Sequence, residues 1–188
     1  MRSNERIFTE KVFEGKRVTV ERVKYANTHP MEHVIVRPAA VILPVTADGK
    51  IILIRQVRTA IGDECLYEIP AGLIDESDYE GLECCDQADK EAARITAIRE
   101  LEEETGYIAE NVGFISEVYS SPGFTNEKLY IFYADRLSIQ KEQKLDESED
   151  IEIVTVDYAK AMEMAESNMI KDMHTLYALN WYHLNLTK

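Results

Sequence analysis

Arg99-Glu100-Leu101-Glu102-Glu103-Glu104-Thr105-Gly106-Tyr107 packs four glutamates and an arginine into less than two helical turns that end at a glycine. At 3.6 residues per turn, Glu100 and Glu104 stack one turn apart on one face, with Glu103 beside Glu100 at i+3. Like charges at this spacing repel, by roughly 0.2–0.5 kcal/mol per pair on a bare helix. The macrodipole further disfavours carboxylates near a helix C-terminus. A divalent cation reverses both penalties, and magnesium, hard and oxygen-seeking, typically takes one or two protein carboxylates, water and phosphate oxygens. The plain alternative is a solvated acidic helix end.

Working outward, Ala92, Ile95, Ile98 and Leu101 recur at helical spacing, which predicts a helix from about Asp89 to Thr105 with Gly106 as its stop. Upstream, Arg17 to Tyr25 alternates apolar and charged residues as a half-buried strand does, and Ile7 to Phe13 can pair with it across Glu14-Gly15-Lys16. Ala39 to Val45 and Ile51 to Val57 are β-branched runs flanking an Asp48-Gly49 turn, the signature of a hairpin. Downstream, strands are expected at Val112 to Tyr119, Lys128 to Ala134 and Ile151 to Val156, then helices at about Asp157 to Glu166 and Ile170 to Leu184. Strands, one central helix, more strands and terminal helices make an α+β pattern. No internal repeat, low-complexity tract or linker interrupts it, so the 188 residues read as one domain, 1–188.

Lys plus Arg number 21 against 35 Asp plus Glu, a formal charge of −14. That balance argues against a nucleic-acid polymer as partner, since such binding draws on basic contacts to phosphates. A small polyanion bridged by metal ions remains compatible. Met1 to Arg17 lacks the basic start and apolar stretch of a signal peptide, and the longest apolar run, Ala39 to Val45, is too short to span a bilayer. Cys65, Cys84 and Cys85 are an odd set, two of them adjacent, with neither a disulfide framework nor a CxxC metal spacing. A cytoplasmic protein with plain thiols is expected, and no membrane partner.

The acidic stretch fits the pattern REUxEExGU, where U is apolar, and Glu91 stands eight positions before Arg99. This resembles the Nudix box, the signature of hydrolases acting on a nucleoside diphosphate linked to another moiety. The box places a glycine six positions before that glutamate, where this chain has Cys85. The equivalent is read as Gly72, in Ile69-Pro70-Ala71-Gly72-Leu73-Ile74-Asp75, which looks like the PAGxI/L lead into the box. Eighteen residues then separate Gly72 from Glu91, where the family has five. The excess of 13, within residues 73–90, is polar and acidic and is expected to project as a surface loop without supplying a metal ligand.

The resemblance implies the Nudix fold, a mixed β-sheet sandwiched between α-helices, here with an N-terminal antiparallel strand pair. It implies Mg2+, with Mn2+ possible, held by Glu100, Glu103 and Glu104 with the carbonyl of Ala71. Other segments resemble the ADP-ribose pyrophosphatase branch. Ile54-Arg55-Gln56-Val57-Arg58 is similar to its QxR strand end, whose arginine, Arg58 here, reaches substrate phosphates. Ser120-Ser121-Pro122-Gly123 is similar to its SPG loop, implicating Pro122 and Gly123 in substrate binding. Leu145 to Ile151 resembles the acidic loop that supplies a catalytic glutamate, with Glu147 as proton acceptor and Glu149 as a further metal ligand the best matches. Arg99 is then structural, paired with Glu91 or Glu103.

In this branch N-terminal strands, residues 1–36 here, are exchanged in a homodimer, and Phe8, Phe13 and Tyr25 are candidates by location for an adenine clamp. The implied reaction is hydrolysis of ADP-ribose to AMP and ribose 5-phosphate. Alternatives are a Nudix enzyme for another nucleotide sugar, a dinucleotide polyphosphate or a nucleoside triphosphate, a catalytically silent ADP-ribose sensor, and a structural acidic domain.

Overall fold

The computed structural model describes residues 5–62, 64–82, 87–139, 142–145 and 150–186. At the N-terminus β1 (Arg6–Glu14) and β2 (Thr19–Tyr25) pair antiparallel across the expected turn. A third strand, β3 (Met31–Ile35), extends the expected pair to a three-stranded sheet. At five residues, without strict alternation, it carries little signal of its own.

Next come β4 (Ala39–Pro44) and β5 (Lys50–Arg58), joined through the Asp48-Gly49 turn, where Gly49 takes a φ of +79° that its missing Cβ permits. The turn forms, but the hairpin does not: the only pairing is a Val45–Ile51 bridge, and the two strands then part into different sheets. β4 is buried throughout and β5 from Ile51 to Ile54, so each is claimed by core neighbours on two sides instead of by the other.

Short strands β6 (Glu64–Glu68) and β7 (Ala71–Leu73) follow, separated by Ile69-Pro70. The central helix α1 (Ala88–Thr105) ends as expected at Gly106, whose φ is +71° and whose N–H donates to Glu102 O at 2.8 Å. Its buried stripe is shifted around the helix from the apolar spacing and takes in Thr96, Glu104 and Thr105. Ala92, Ala93, Ala97 and Leu101 are buried, while Ile95 and Ile98 are only half-buried. β8 (Tyr107–Tyr119) and β9 (Lys128–Ile139) form a long antiparallel pair with an irregularity between Phe114 and Ser116. β10 (Ile151–Asp157), α2 (Tyr158–Glu166) and α3 (Met173–Leu186) complete the chain.

One sheet runs β7-β4-β9-β8, mixed because β4 and β9 are parallel; the other, β10-β5-β6, is antiparallel. Alternation along β4 divides the core in two. Ala40 and Ile42 face α1 with Ala93, Ala97 and Leu101, and Val41 and Leu43 face the opposite layer with Leu53, Ala178 and Leu179. β9 repeats the split, with Tyr130 and Phe132 on the α1 side and Ile131 on the other. The mixed sheet thus lies between helices, as the sequence implied.

The long connection into α1 departs from expectation. Its first part does not project: Glu76–Tyr79 forms a 3-10 turn, and Tyr79 and Leu82 pack on the α1-side core. Asp78 is buried at 5% exposure and its Oδ2 accepts from Thr96 Oγ1 of α1 at 2.8 Å and from Asp75 N at 2.9 Å. A polar composition suggested solvent, but a buried carboxylate is tolerable when hydrogen-bonded, and here it is. Residues 83–86, including Cys84 and Cys85, lie outside the described residues; Cys65 is a half-buried free thiol. No helix among the described residues is long and apolar enough to cross a membrane.

Candidate active site

The edge of the mixed sheet at β7, the last turns of α1 and the start of α3 enclose a cleft of about 970 Å3. That volume is within the range of small-molecule sites. Glu100, Glu103, Glu104, Ala71 and Arg58 all line it, so five of the residues singled out from sequence share one wall system. Helix α1 projects the three glutamates along one side, and β7 lies directly against them. Glu104 is buried at 3% exposure and its Oε2 accepts from Ala71 N at 3.2 Å.

Gly72 explains why the box's glycine must be here. A Cβ on it would stand 1.9 Å from Glu100 Oε1 and 2.1 Å from Glu100 Cδ. Only a residue without a side chain lets the β7 backbone approach that carboxylate. Replacing Gly72 by Ala should therefore displace Glu100 and lower turnover by roughly tenfold or more. The thermal midpoint should move far less, and steady-state kinetics beside a melt would show both. Unchanged turnover would mean that the position of Glu100 is immaterial.

Arg99 organises this side. Its Nη1 donates to Glu100 Oε1 at 2.7 Å and Glu103 Oε2 at 3.1 Å, and its Nη2 lies 3.4 Å from Asp78 Oδ2 and 3.9 Å from Asp75 Oδ2. Burial opposes the charge, but Glu100 and Asp78 outweigh it and hold the guanidinium above its ordinary pKa. The expected pairing with Glu103 is present. Glu91 is instead taken by Arg94, Nη2 to Oε1 at 2.7 Å, because Arg94 stands at i+3 on the same face.

On another wall, Arg58 meets Glu68 with two hydrogen bonds, one from Nε at 2.7 Å and one from Nη2, and Gln56 Nε2 donates to the same carboxylate at 3.2 Å. Those bonds to Glu68 raise the pKa of Arg58. Nearby, Asp172 Oδ2 accepts from Thr175 N at 2.8 Å at the start of α3, and its Oδ1 lies 3.2 Å from His174 Nδ1. Burial pushes Asp172 up, but His174 and Thr175 bring its pKa below the ordinary value. His174 is moved the opposite way, since Asp172 overcomes the desolvation of the imidazole. Thr175 Oγ1 accepts from Ile69 N at 2.9 Å, which ties α3 to the link between β6 and β7 that leads into Ala71.

Sequence reading missed Glu68, Asp78, Asp172 and His174. The Asp172-x-x-Thr175 spacing was a capping signal that could have pointed to the last two; Glu68 ends a short strand that was itself missed. Pro122 and Gly123 sit in an exposed turn and not on the cleft wall, although Glu127, four residues beyond Gly123, is on it. That turn braces the N-terminal sheet, with Val34 N donating to Phe124 O at 2.8 Å. Phe8, Phe13 and Tyr25 lie on β1 and β2, away from the cleft of their own chain.

Glu147 and Glu149 lie outside the described residues. The segment before them is docked on α1: Gln143 Nε2 donates to Glu104 O at 2.7 Å and Lys144 N to Glu103 O at 2.8 Å. Among the described residues, no three acidic, histidine or thiol groups converge closely enough to hold an ion as they stand. The donor chemistry nevertheless fits a hard divalent cation, with all-oxygen carboxylates beside a backbone cradle that a Cβ at Gly72 would fill.

The NUDIX domain model matches residues 36–173. The chain belongs to the Nudix hydrolase family. It is 37% identical over 183 residues to the ADP-ribose pyrophosphatase of Bacillus subtilis, covering 95% of this chain and 91% of that protein. It is 31% identical to the methanol dehydrogenase activator of Bacillus methanolicus over the same shares. With the GDP-mannose pyrophosphatase of Escherichia coli K12 it shares 31% identity over 76% of this chain and 71% of that one. The crystal structure of an ADP compounds hydrolase superposes over 100% of this chain and 96% of its own, with a TM-score of 0.78 at 23% identity, a likeness of fold.

Proposed function

We propose that this Nudix hydrolase cleaves the pyrophosphate bond of ADP-ribose with the help of a divalent cation, giving AMP and ribose 5-phosphate. The observation that carries it is the convergence of Glu100, Glu103, Glu104, Ala71 and Gly72 on one cleft, in a chain 37% identical to an ADP-ribose pyrophosphatase over 95% of its length. Glu100, Glu103, Glu104, the carbonyl of Ala71 and Glu149 would hold Mg2+, or Mn2+ in its place. Bound there, the cation supplies charge neutralisation for the diphosphate and lowers the pKa of water.

The chain's own residues do the rest. Glu147 accepts the proton of the attacking water, and upstream of it Gln143 and Lys144 are fastened to the last turn of α1. Arg58, oriented by Glu68, presents its guanidinium to the phosphates. Pro122 and Gly123, off the cleft wall of their own chain, would act through the β8–β9 turn that leads to Glu127 on that wall. The reading includes a cytoplasmic homodimer. Ile7, Val12 and Phe13 are more than 45% exposed on β1, an apolar edge suited to a second copy, which would bring Phe8, Phe13 or Tyr25 to the partner's adenine.

Turnover of ADP-ribose, GDP-mannose and 8-oxo-dGTP by the purified protein tests the substrate. The highest kcat/KM is expected for ADP-ribose, and by at least tenfold. GDP-mannose, the substrate named for one relative, is the second reading, and a preference for it would replace the first.

A further inference from the structure

We infer that His174, in the first turn of α3, is a substrate-binding residue whose charged imidazole masks Asp172 and offers its Nε2–H to an oxygen of the substrate's diphosphate. The inference rests on the reading of the cleft as a nucleoside diphosphate site.

His174 lies on the cleft wall with its side chain 26% exposed, and among the described residues it is the one histidine there. Its Nδ1 is 3.2 Å from Asp172 Oδ1, while Asp172 Oδ2 is fixed by Thr175 N at 2.8 Å and Thr175 Oγ1 at 2.6 Å. The bond to Asp172 places a proton on Nδ1 and leaves Nε2 turned the other way. Nε2 is buried and, among the described residues, meets no hydrogen-bond partner. Buried polar atoms are nearly always paired, so an orphan on the wall of a binding cleft points to a ligand.

The start of α3 is also pinned beside the phosphate-binding groups. Thr175 Oγ1 holds Ile69 N, and Ile69 links Glu68, which orients Arg58, to the segment that ends at Ala71. Arg58 feels the charges of both Glu104 and Asp172. A phosphate drawn to Arg58 therefore has the helix glutamates and their cation to one side and the Asp172–His174 pair to the other.

The carboxylates that act on His174 are Asp172 on its own element, Glu127 just before β9 and Glu68 at the end of β6, none of them a proposed metal ligand. Glu68 is answered by Arg58 and Glu127 accepts from the Ser120 hydroxyl. A neutral His174 would leave Asp172 uncompensated in a wall that has to admit an anion. Burial works against the imidazolium, but the bond to Asp172 and the nearby carboxylates outweigh it and hold the pKa above the ordinary histidine value. His174 is charged below that raised pKa and loses its charge as pH climbs through it. Affinity for the diphosphate, whose own charge is constant around neutrality, should therefore be highest at low pH and fall as pH rises.

The test is KM and kcat for ADP-ribose and GDP-mannose from about pH 6 to about pH 9 in wild type, His174→Gln and His174→Lys, the last with a charge that does not titrate there. Wild-type KM should rise roughly tenfold over that range, the scale of one charge-assisted hydrogen bond. KM should be high and flat in His174→Gln and low and flat in His174→Lys, with kcat changing less than KM in both. A merely structural role would move the thermal midpoint and leave the pH profile of KM as in wild type. That outcome in a folded His174→Gln variant would overturn the inference, as would a His174→Lys variant that behaves like His174→Gln. A second readout needs no turnover. In Mg2+-free buffer the His174 imidazole resonance, identified by its loss in either variant, should titrate at higher pH once ADP-ribose is bound. Unchanged titration in a protein that binds ADP-ribose counts against the contact. If GDP-mannose is the better substrate, the KM profile on GDP-mannose decides. Wild type that neither binds nor hydrolyses either compound would remove the functional reading itself, so the two failures are distinct.

Discussion

Replacing Glu100 or Glu104 by glutamine should lower turnover by roughly 10²-fold or more while leaving the fold intact, because each change removes one carboxylate charge at nearly constant shape. The stability half of this expectation follows from geometry. Glu104 is buried and accepts from the Ala71 N–H, and the amide oxygen of glutamine can take over that bond. Glu100 lies in the gap left by Gly72 and faces Arg99. Losing its charge relieves repulsion along α1 even as it weakens one partly exposed ion pair, so the two effects offset within about 1 kcal/mol. Circular dichroism and thermal melts should therefore match wild type while the kinetics collapse. Near-normal turnover in both variants at saturating Mg2+ would end the proposed role of the helix.

Deleting Met1 to Tyr25 should cost both self-association and affinity for ADP-ribose. The deletion removes β1 and β2, leaves β3 without its strand neighbour, and takes Arg17 and Val18 from the cleft wall. The main body should survive, since its two core clusters draw no buried member from those strands. Light scattering should report a dimer for the full chain and a monomer for the truncated one, with KM raised at least tenfold. A full-length monomer that is fully active would exclude the exchanged-strand arrangement, leaving the cleft chemistry untouched.

These two expectations draw on features of unequal legibility. The central helix could be placed to within a residue, because its stop is a glycine that must adopt positive φ and its carboxylates have a spacing that solvent alone does not reward. Buried β4 was equally plain, a β-branched run with a turn after it. What failed was partner choice: the Asp48-Gly49 turn reads as a hairpin locally, but β4 and β5 are pulled into separate sheets by residues far along the chain. Strands of three to five residues, β3, β6 and β7, are too short for alternation to show.

At the site, Glu100, Glu103 and Glu104 were visible because they are neighbours on one helix. Glu68 and Asp78 were not, since each acquires meaning only from an arginine 10 or 21 positions away. Asp78 also sits in a run so acidic that a buried member looks like any other. Its burial is a tertiary fact, decided by Thr96 and Arg99 rather than by its own surroundings in sequence.

The parallel pairing of β4 with β9 has a kinetic side. Ala39 pairs with Leu129, ninety residues downstream, and no shorter route joins the two strands at the centre of the mixed sheet. Closing so large a loop costs chain entropy before any contact repays it, and topologies dominated by distant pairings fold slowly for that reason. Gly72, Arg99, Glu100, Glu103 and Glu104 all lie inside that loop. On the ribosome, helix α1 is made and able to coil before the strand that completes its supporting sheet has emerged, so its acidic face waits in solvent until the chain closes behind it.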